Sequence, residues 1–571
     1  MRFNVTEYPE LIADVDVYRG IPFGVPPVGE LRLAKPIPSG GWEGEYDATY
    51  FRSPCIQSGN AEEVERMSED CLYLNVWVPK AKPKNATVML WIHGGGFVFG
   101  EGSSYSYNGI PLAAINNIIY VTVNYRLNSF GFFSLGDDVM PGNYGLWDQQ
   151  LALKWTKEHI GAFGGNADDI TIFGQSAGAA SVGLHLVAPF SWDYFSKAIL
   201  QSGTSIAPWG VELDKDKARQ DVYGVADDAG CEGQYSNHQE LLACLRELPA
   251  QNISDATTTW LLRTTTNIVP FVAVVDGEYI TDDPWALLQR NEFKQCDVLL
   301  GSTLDDGSLI SIRAFPDQLP RINPKINYEE FRESLVTYTY TYRNDLIIDA
   351  MEQNYIDWKL ADDEDTNYFY NYMKLITDEA FICPVDATAR AYVRNGNTVY
   401  MYHFTHKPSN SVWPDLPTWW GVAHSEENQF VFGYHFIPEK EHEMTPEEVD
   451  MIFQIMKYWT NFAKTGNPNL ESIGDTLETT ATTWEPFAAP DLHYKYLNPE
   501  FLSDEGLRTS YCHFWNDYIR KMVTFTADLE ETEKQWREEF SRWKYEDMPN
   551  WKDAFEDYKS TINTCTDNNC S

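Results

Sequence analysis

Residues 170–187, ITIFGQSAGAASVGLHLV, decide the fold of this 571-residue chain. Positions 170–174 are apolar and β-branched, which predicts a buried strand. The segment that follows, 176–187, is rich in small and apolar residues and predicts a helix. Ser176 lies at the junction with a glycine on either side, two residues away. A strand that runs directly into a helix is the repeating unit of α/β proteins.

The same alternation extends along most of the chain. Apolar, β-branched runs bounded by turn residues predict buried strands, and apolar residues at helical spacing predict a helix over 145–160. The further strands are expected at 72–78, 88–93, 118–124, 196–201, 297–301 and 398–404. Segments 205–295 and 310–380 are expected to be helical or irregular insertions. The pattern predicts fold class α/β, with a central, mostly parallel sheet flanked by helices.

Net charge excludes one class of partner. The chain has 43 Lys and Arg against 84 Asp and Glu, a net charge of −41. Such a surface repels a phosphate backbone, so we expect no nucleic-acid binding. Solubility accounts for the charge, and steering of cationic molecules is the alternative. No stretch approaches the roughly 20 apolar residues of a transmembrane helix.

Cysteines and sequons indicate an oxidising compartment. Nine cysteines are present, Cys55/Cys71 and Cys231/Cys244 each could close a short loop, and no C-x-x-C pair suggests zinc. Residues 1–15 carry acids and lack the apolar core of a signal peptide. We nevertheless expect a secreted, extracellular protein, in a mature or N-terminally incomplete form. The glycosylation candidates are Asn4, Asn85 and Asn252.

Two glycine motifs indicate a serine nucleophile. Residues 174–178, GQSAG, match G-x-S-x-G between a predicted strand and a predicted helix, as that motif requires. Residues 93–96, HGGG, follow another strand and match the motif whose backbone amides face a substrate carbonyl. The alternative is a glycine-rich turn with an inert serine, which two motifs in the correct order disfavour. The expected oxyanion donors are the amides of Gly95, Gly96 and Ala177.

Several longer segments carry a resemblance to a known family. They include RGIPFGVPPVGELRL (19–33), SEDCLYLNVWVP (68–79), NYRLNSFGFFS (124–134), PGNYGLWDQQLAL (141–153) and GVAHSEENQFVFG (421–433). Over nearly its whole length the chain resembles the type-B carboxylesterase/cholinesterase family. The resemblance implies an α/β-hydrolase fold, with a catalytic domain over 1–522.

The resemblance also implies a serine-esterase mechanism. The family order is Ser, acid, His, which places the triad on Ser176, Asp306 and His424. Asp stands where the family usually has Glu, and the neighbouring Asp305 is the alternative. The implied reaction is hydrolysis of a small carboxylic ester through an acyl-enzyme. It needs no metal and no organic cofactor.

The implied substrate pocket departs from that of cholinesterases. In cholinesterases the loop closed by the first disulfide carries the aromatic residue that holds quaternary ammonium by cation–π attraction. The corresponding loop here, residues 56–70 between Cys55 and Cys71, has no aromatic residue. The pocket residues carried over are Gln175, Trp209, Val269 and Leu309, and they indicate a roomier, more aliphatic pocket. We therefore expect a cholinesterase-like carboxylesterase without the choline-binding aromatic cage. The implied disulfides are Cys55–Cys71, Cys231–Cys244 and Cys383–Cys512, which leave Cys296 unpaired.

Two alternatives to this function stay open. One is a true cholinesterase that binds the cation with Glu62, Glu63 and Glu65, although solvated surface charge also explains these residues. The other is a non-catalytic adhesion or binding protein on the same scaffold. Such proteins lose the serine or the histidine, and this chain keeps both.

The C-terminal region, 530–571, resembles the tryptophan-rich tetramerisation tail of cholinesterases. Trp536, Phe540 and Trp543 share one helical face, and Trp551, Phe555 and Tyr558 repeat the spacing. The resemblance implies an amphipathic helical tail and a homo-oligomer around a proline-rich peptide. Packing of the stripe on the chain's own core is the alternative. Pro549 departs from the family pattern, because proline kinks or breaks a helix.

Overall fold

The structure is a computed structural model that covers most of the chain. It describes residues 2–5, 8–58, 61–80, 84–231, 233, 237–263, 271–338, 345–361, 363–437, 444–469, 483–525, 536, 543, 548, 551, 552, 555 and 559.

An eleven-stranded sheet forms the centre of the molecule, in the order β1-β2-β3-β5-β4-β6-β7-β10-β11-β12-β13. From β5 through β12 in this order all neighbours are parallel, whereas the strands at both edges pair antiparallel. Strands β8 and β9 form a separate parallel pair. The strands are β1 (Arg2–Val5), β2 (Tyr8–Pro22), β3 (Tyr73–Pro79), β4 (Ala86–Ile92), β5 (Ile119–Val123), β6 (Gly165–Gln175), β7 (Lys197–Gln201), β8 (Val211–Glu212), β9 (Ala273–Val274), β10 (Val298–Thr303), β11 (Val399–Phe404), β12 (His493–Leu497) and β13 (Ser503–Glu505).

Helices lie between the strands and pack on both faces of the sheet. The α-helices are α1 (Ala61–Arg66), α2 (Ile110–Asn116), α3 (Asn128–Phe132), α4 (Tyr144–His159), α5 (Ala177–Val187), α6 (Lys215–Ala229), α7 (His238–Glu247), α8 (Ala250–Arg263), α9 (Pro284–Gln289), α10 (Ser308–Ala314), α11 (Tyr328–Tyr338), α12 (Asp345–Tyr355), α13 (Phe369–Thr377), α14 (Cys383–Arg394), α15 (Asn428–Val431), α16 (Pro446–Thr465) and α17 (Thr509–His513). Short 3-10 helices span Gly29–Leu31, Tyr105–Tyr107, Ile160–Phe163, Pro189–Tyr194, Pro316–Gln318, Thr418–Trp420 and Tyr434–Phe436. Two π-helices span Asp378–Ile382 and Phe514–Ile519.

Two hydrophobic cores lie on opposite faces of the sheet. Successive residues of a strand point to opposite faces, and β6 divides accordingly: Ile172 lies in one core and Phe173 in the other. Helices α4 and α5 pack on the first face, and α2 and α16 on the second. Because both faces are covered, the central strands are apolar throughout rather than alternating.

The predicted fold class is confirmed. Every strand predicted from residues 72–78, 88–93, 118–124, 170–174, 196–201, 297–301 and 398–404 overlaps a strand of the sheet, and the helix predicted over 145–160 is α4. The two predicted insertions hold α6 to α13. The antiparallel edge strands were not predicted from the sequence.

Four loops at the carboxyl ends of parallel strands meet at one edge of the sheet. Strand β4 leads to the HGGG segment, β6 to Ser176, β10 to Asp306, and β11 to the segment that contains His424. Strands β4, β6, β7, β10 and β11 are consecutive in the sheet. Residues more than 300 positions apart in sequence are therefore brought to one crevice, the usual ligand site of open α/β sheets.

Three disulfides cross-link the described chain. Cys55 bonds Cys71, and Cys231 bonds Cys244 over a similarly short separation. Cys383, at the start of α14, bonds Cys512 of α17 across 129 residues. Cys296 is the free cysteine among the described residues.

The described residues of the tail are helical and exposed. Trp536, Trp543, Trp551 and Phe555 are all exposed to solvent. The rings of Trp551 and Phe555 stack with their centroids 5.2 Å apart, as residues four positions apart on a helix can. Phe540, Pro549 and Tyr558 lie outside the described residues. Among the described helices, none is long and apolar enough to cross a membrane.

A buried ion pair braces the loop beside the HGGG segment. Arg126 donates from Nη2 to Asp148 Oδ1 at 2.7 Å and from Nε to Oδ2 at 2.8 Å, and the two side chains are 4% and 0% exposed. Two residues later, Asn128 donates from its backbone to Phe97 O and from Nδ2 to Val98 O, both at 2.8 Å. The pair thus anchors the segment that supports the HGGG loop.

We predict that Asp148→Asn lowers the free energy of unfolding by about 3–5 kcal/mol, because it leaves a buried guanidinium without its counter-charge. Urea unfolding followed by tryptophan fluorescence measures the change. The control is Asp168→Asn, which removes an exposed partner of Lys157 and should leave stability almost unchanged. Equal effects of the two substitutions would contradict the assignment of Arg126–Asp148 as a brace.

Candidate active site

Ser176 lies at a sharp turn between β6 and α5. Its backbone has φ 58° and ψ −127°, a conformation that side chains rarely adopt and that occurs mainly at functional sites. Its backbone N–H donates to Gln201 O at 2.8 Å. A Cβ on Gly178 would collide with Ile92 O, so only glycine lets α5 pack this closely against the end of β4. Ala177 is the first residue of α5, where backbone amides have no partner within the helix.

The HGGG segment forms a tight loop next to this turn. Gly95 has φ 108° and Gly96 has φ 61°, values that turn the chain so that successive amides can face one point. His93 is buried and stacks on Tyr125, with ring centroids 4.4 Å apart. Burial lowers the pKa of His93 to about 4, so the ring is neutral at physiological pH. His93 is therefore a packing residue of this loop and carries no charge toward the cavity.

His424 and Asp306 form a buried hydrogen-bonded pair. His424 Nδ1 lies 2.7 Å from Asp306 Oδ1, and the imidazole is 3% exposed. Asp306 Oδ2 also accepts from Ser202 Oγ at 2.9 Å and from the backbone N–H of Thr303 at 2.8 Å. These donors fix the carboxylate so that one oxygen points at the imidazole.

The carboxylate of the adjacent residue, Asp305, binds a backbone amide rather than the imidazole. Asp305 Oδ2 accepts from the backbone N–H of Val422 at 2.9 Å, and its burial raises the pKa of that carboxyl. It thereby holds the loop that contains His424. Of the two adjacent acids, Asp306 is the one that contacts the imidazole.

The far side of the imidazole contacts Gln175. Gln175 Nε2 lies 2.9 Å from His424 Nε2. An amide nitrogen only donates, so His424 Nε2 is the acceptor and Nδ1 carries the proton that is donated to Asp306. This is the tautomer that a general base requires. Among the described residues, the Gln175 amide rather than the Ser176 hydroxyl is hydrogen-bonded to Nε2.

One cavity of about 350 Å³ opens onto Ser176 and His424. Of the predicted site residues, it is lined by Gly95, Gly96, Gln175, Ser176, Trp209, Leu309 and His424. Asp306 lies behind His424, and Val269 lies outside the described residues. The volume is in the range of pockets for small molecules.

Aromatic side chains form much of the described wall of the cavity. Its aromatic residues are Phe99, Tyr107, Trp209, Phe381, Trp413 and Tyr434. Its aliphatic residues are Val98, Leu309, Ile310 and Val412. The expected difference from the cholinesterase pocket, a roomier and more aliphatic one, stays a prediction. None of the described residues of the first disulfide loop lines it, so these rings come from other segments.

Several residues of the site escaped the sequence analysis. Ser202 donates to the Asp306 carboxylate, Phe381 packs on the imidazole with centroids 5.0 Å apart, and Trp413 donates from Nε1 to His424 O at 2.7 Å. They come from separate segments, and no local motif marks them. Arg313 also lines the cavity. Its spacing of four residues from Leu309, one helical turn, is a signal that could have identified it.

A second buried carboxyl, that of Glu427, lies near Asp306. Glu427 Oε1 accepts from Gln201 Nε2 at 3.3 Å and from Tyr402 OH at 3.5 Å. Burial, and then the charge of the nearby Asp306, raise the pKa of Glu427 to about 8. The carboxyl of Glu427 is therefore mostly protonated at neutral pH.

The sequence matches the model of the Carboxylesterase family over residues 5–515. The chain belongs to the carboxylesterase family. A second match, to the Acetylcholinesterase tetramerisation domain, covers residues 530–565. This carboxylesterase-family member is a carboxylic ester hydrolase.

Curated relatives of this carboxylesterase-family chain cover nearly all of it. An acetylcholinesterase of Bungarus fasciatus is 37% identical over 564 residues, which is 96% of this chain and 90% of that protein. A cholinesterase of Mus musculus is 37% identical over 573 residues, 98% of this chain and 92% of that protein. An acetylcholinesterase of Danio rerio is 36% identical over 600 residues, 97% of this chain and 92% of that protein.

We predict that Glu427→Gln flattens the decline of stability with rising pH. The folded state keeps the Glu427 proton up to about pH 8, whereas the unfolded state releases it near the ordinary value of 4.5. Between these values the folded state binds more protons, so the free energy of unfolding falls as pH rises, by at most about 1.4 kcal/mol per pH unit.

Thermal unfolding at pH 6 and at pH 8.5 measures the effect. The wild type should lose more stability between the two pH values than Glu427→Gln does. The exposed residue Glu500 provides the control, and Glu500→Gln should behave as the wild type. An identical decline in all three proteins would show that Glu427 does not titrate in this range.

Proposed function

We propose that the chain hydrolyses carboxylic esters with Ser176 as nucleophile, His424 as general base and Asp306 as the residue that orients the base. The observation that carries the proposal is the 2.7 Å contact between His424 Nδ1 and Asp306 Oδ1, with His424 and Ser176 in the wall of one cavity. The three residue types in this order match the roles of a serine-hydrolase triad on this fold.

The reaction proceeds in two halves. His424 Nε2 takes the proton of the Ser176 hydroxyl, and Oγ attacks the ester carbonyl to form a tetrahedral intermediate. The imidazolium, stabilised by Asp306, gives its proton to the alcohol oxygen, and the alcohol leaves an acyl-enzyme behind. Water, deprotonated by His424, then attacks the acyl-enzyme and releases the acid. No metal or organic cofactor enters these steps.

The oxyanion of each tetrahedral intermediate is bound by backbone amides. Gly95, Gly96 and Ala177 are the proposed donors. The tight HGGG loop and the first turn of α5 present these amides without reorganisation during the reaction. Removal of one donor of this kind typically raises the barrier by about 3–4 kcal/mol.

An ester without a cationic group is the preferred substrate in this proposal. The first disulfide loop contributes no described residue to the cavity, and Gln175, beside the nucleophile, is uncharged. A quaternary ammonium group is held by aromatic faces and by nearby negative charge. The described wall provides no carboxylate, so the charge component of cation binding is missing.

A true cholinesterase is the second candidate, and one observation favours it. Six aromatic side chains line the described part of the cavity, Trp209 and Trp413 among them, and such rings can hold a cation. The relatives named above are called cholinesterases or acetylcholinesterases. A non-catalytic binding protein has less support, because Ser176, Asp306 and His424 are all present and close.

We further propose a secreted, oligomeric protein. Three disulfides favour an oxidising compartment, and Asn85 and Asn252 are exposed, as glycosylation requires. The side chain of Asn4 lies outside the described residues. Residues 530–565 match a tetramerisation domain, and the exposed rings of Trp536 and Trp551 supply the apolar surface for assembly, either with copies of the chain alone or around a proline-rich peptide.

Substitutions at and beside the proposed triad should distinguish the role of Asp306 from that of Asp305. Ser176→Ala is expected to lower kcat for p-nitrophenyl butyrate roughly 10⁶-fold, and Asp306→Asn about 10⁴-fold, because the imidazole adopts the wrong tautomer. Asp305→Asn should retain most of the activity, since its side chain can still accept from Val422. Steady-state kinetics of the secreted protein measure all three. A larger loss in Asp305→Asn than in Asp306→Asn would exclude the proposed triad.

The two candidate functions predict different relative turnover of two substrates. We expect efficient turnover of p-nitrophenyl butyrate and poor turnover of acetylthiocholine, both abolished in Ser176→Ala. Gln175→Glu, which places a carboxylate beside the nucleophile, should improve the KM for acetylthiocholine more than that for the neutral ester. Efficient acetylthiocholine turnover by the wild type would establish the cholinesterase function instead.

A further inference from the structure

Arg313 contributes a positive charge to the wall of the active-site cavity. It belongs to α10 and lines the same cavity as Ser176, His424 and Trp209. The described lining residues include no Asp, Glu or Lys. Besides His424, Arg313 is therefore the one residue among them that can carry a positive charge. The chain as a whole has a net charge of −41. The charge of Arg313 is therefore opposite in sign to the net charge of the protein.

Helix α10 connects Arg313 to the catalytic residues. The helix begins two residues after Asp306, and Leu309, Ile310 and Arg313 line the cavity. Leu309 and Arg313 are four residues apart and so lie one above the other on one helix face. With a rise of about 1.5 Å per residue, Arg313 lies roughly 7.5 Å along the axis from Ser308. Arg313 and Ser176 line the same cavity of about 350 Å³, so an extended substrate can contact both side chains.

Arg313 is also held to the fold. Its Nη2 donates to Leu261 O, the carbonyl of an α8 residue, at 3.3 Å. A guanidinium carries five N–H donors in a rigid plane and can bind more than one acceptor. An arginine held in this way is pre-oriented, which lowers the entropy that a ligand's carboxylate must overcome.

Local charge dominates over distant charge in such a cavity. Salt screens exposed charges that are more than about 8 Å apart at physiological ionic strength, whereas partly buried charges are screened less. The many surface carboxylates therefore slow the approach of an anion more than they weaken its contact with Arg313. Neutral Gln175, next to the nucleophile, does not oppose a negatively charged substrate.

We propose that Arg313 is a specificity-determining residue that binds a carboxylate on the substrate. The preferred class is then an ester that carries a second, ionised carboxyl several bonds from the scissile carbonyl, such as a monoester of a medium-chain dicarboxylic acid. This inference rests on the proposed ester hydrolysis at Ser176 and specifies its substrate class. Paired hydrogen bonds from a guanidinium to a carboxylate supply the recognition.

Matched pairs of esters test the proposal. The anionic probes are the p-nitrophenyl monoesters of adipic and suberic acid, and the neutral probes are p-nitrophenyl hexanoate and octanoate, which have the same chain lengths. We expect the wild type to show the higher kcat/KM for the anionic member of at least one pair. Arg313→Gln should lower the anionic-to-neutral ratio by roughly 10- to 100-fold, mainly through KM for the anionic ester.

Two further variants make the outcome decisive. Arg321→Gln removes an exposed arginine that pairs with Asp317 and should leave the ratio unchanged. Arg313→Glu should invert the preference. A ratio unaffected by Arg313→Gln, or an equal loss for both members of a pair, would overturn the proposal and leave Arg313 with a structural role. If the neutral esters are turned over no faster than by Ser176→Ala, the proposed function itself fails, and with it this inference.

Discussion

The left-handed turn at Ser176 is the constraint on which the rest of the site depends. Strand β6 passes into α5 through Ser176 alone, and the backbone of this residue takes an unfavourable conformation, φ 58° and ψ −127°. The neighbouring sheet holds that conformation: Ser176 N–H donates to Gln201 O, and Gly178 lets α5 approach Ile92. Once the turn is imposed, the hydroxyl and the first amides of α5 necessarily face the crevice at the carboxyl ends of the strands.

Much of the fold was predictable from the sequence, because buried parallel strands are apolar throughout and are bounded by turn residues. The strands β3 to β7, β10 and β11 were identified in this way. The order of the strands and the antiparallel edges depend on contacts between distant segments, which a local pattern does not contain. The position of Val269 in the pocket stays a prediction, because this residue lies outside the described part of the chain.

The residues of the candidate site also fall into two groups: those that local motifs or the family resemblance predict, and those that only the structure reveals. Glycine motifs identified Ser176 and the HGGG loop, and the family resemblance identified His424. The resemblance placed the acid on Asp306, with the adjacent Asp305 as the alternative, and the contact of Asp306 with His424 supports the first. The aromatic wall was missed, since Phe99, Phe381 and Trp413 come from three separate segments. The contact between Gln175 and His424 depends on side-chain rotamers, which a sequence motif does not determine.

The disulfide between Cys383 and Cys512 determines how mechanical load enters the molecule. Cys512 lies in α17, between the sheet and the C-terminal tail, and its partner begins α14, which packs beside β10 and β11. Tension applied through the tail can unravel the chain only as far back as Cys512, where a covalent bond passes the force to α14. The last strands of the sheet, and the loops they carry, are therefore shielded from peeling. An esterase tethered by its tail keeps its catalytic geometry under shear for as long as this bond is oxidised.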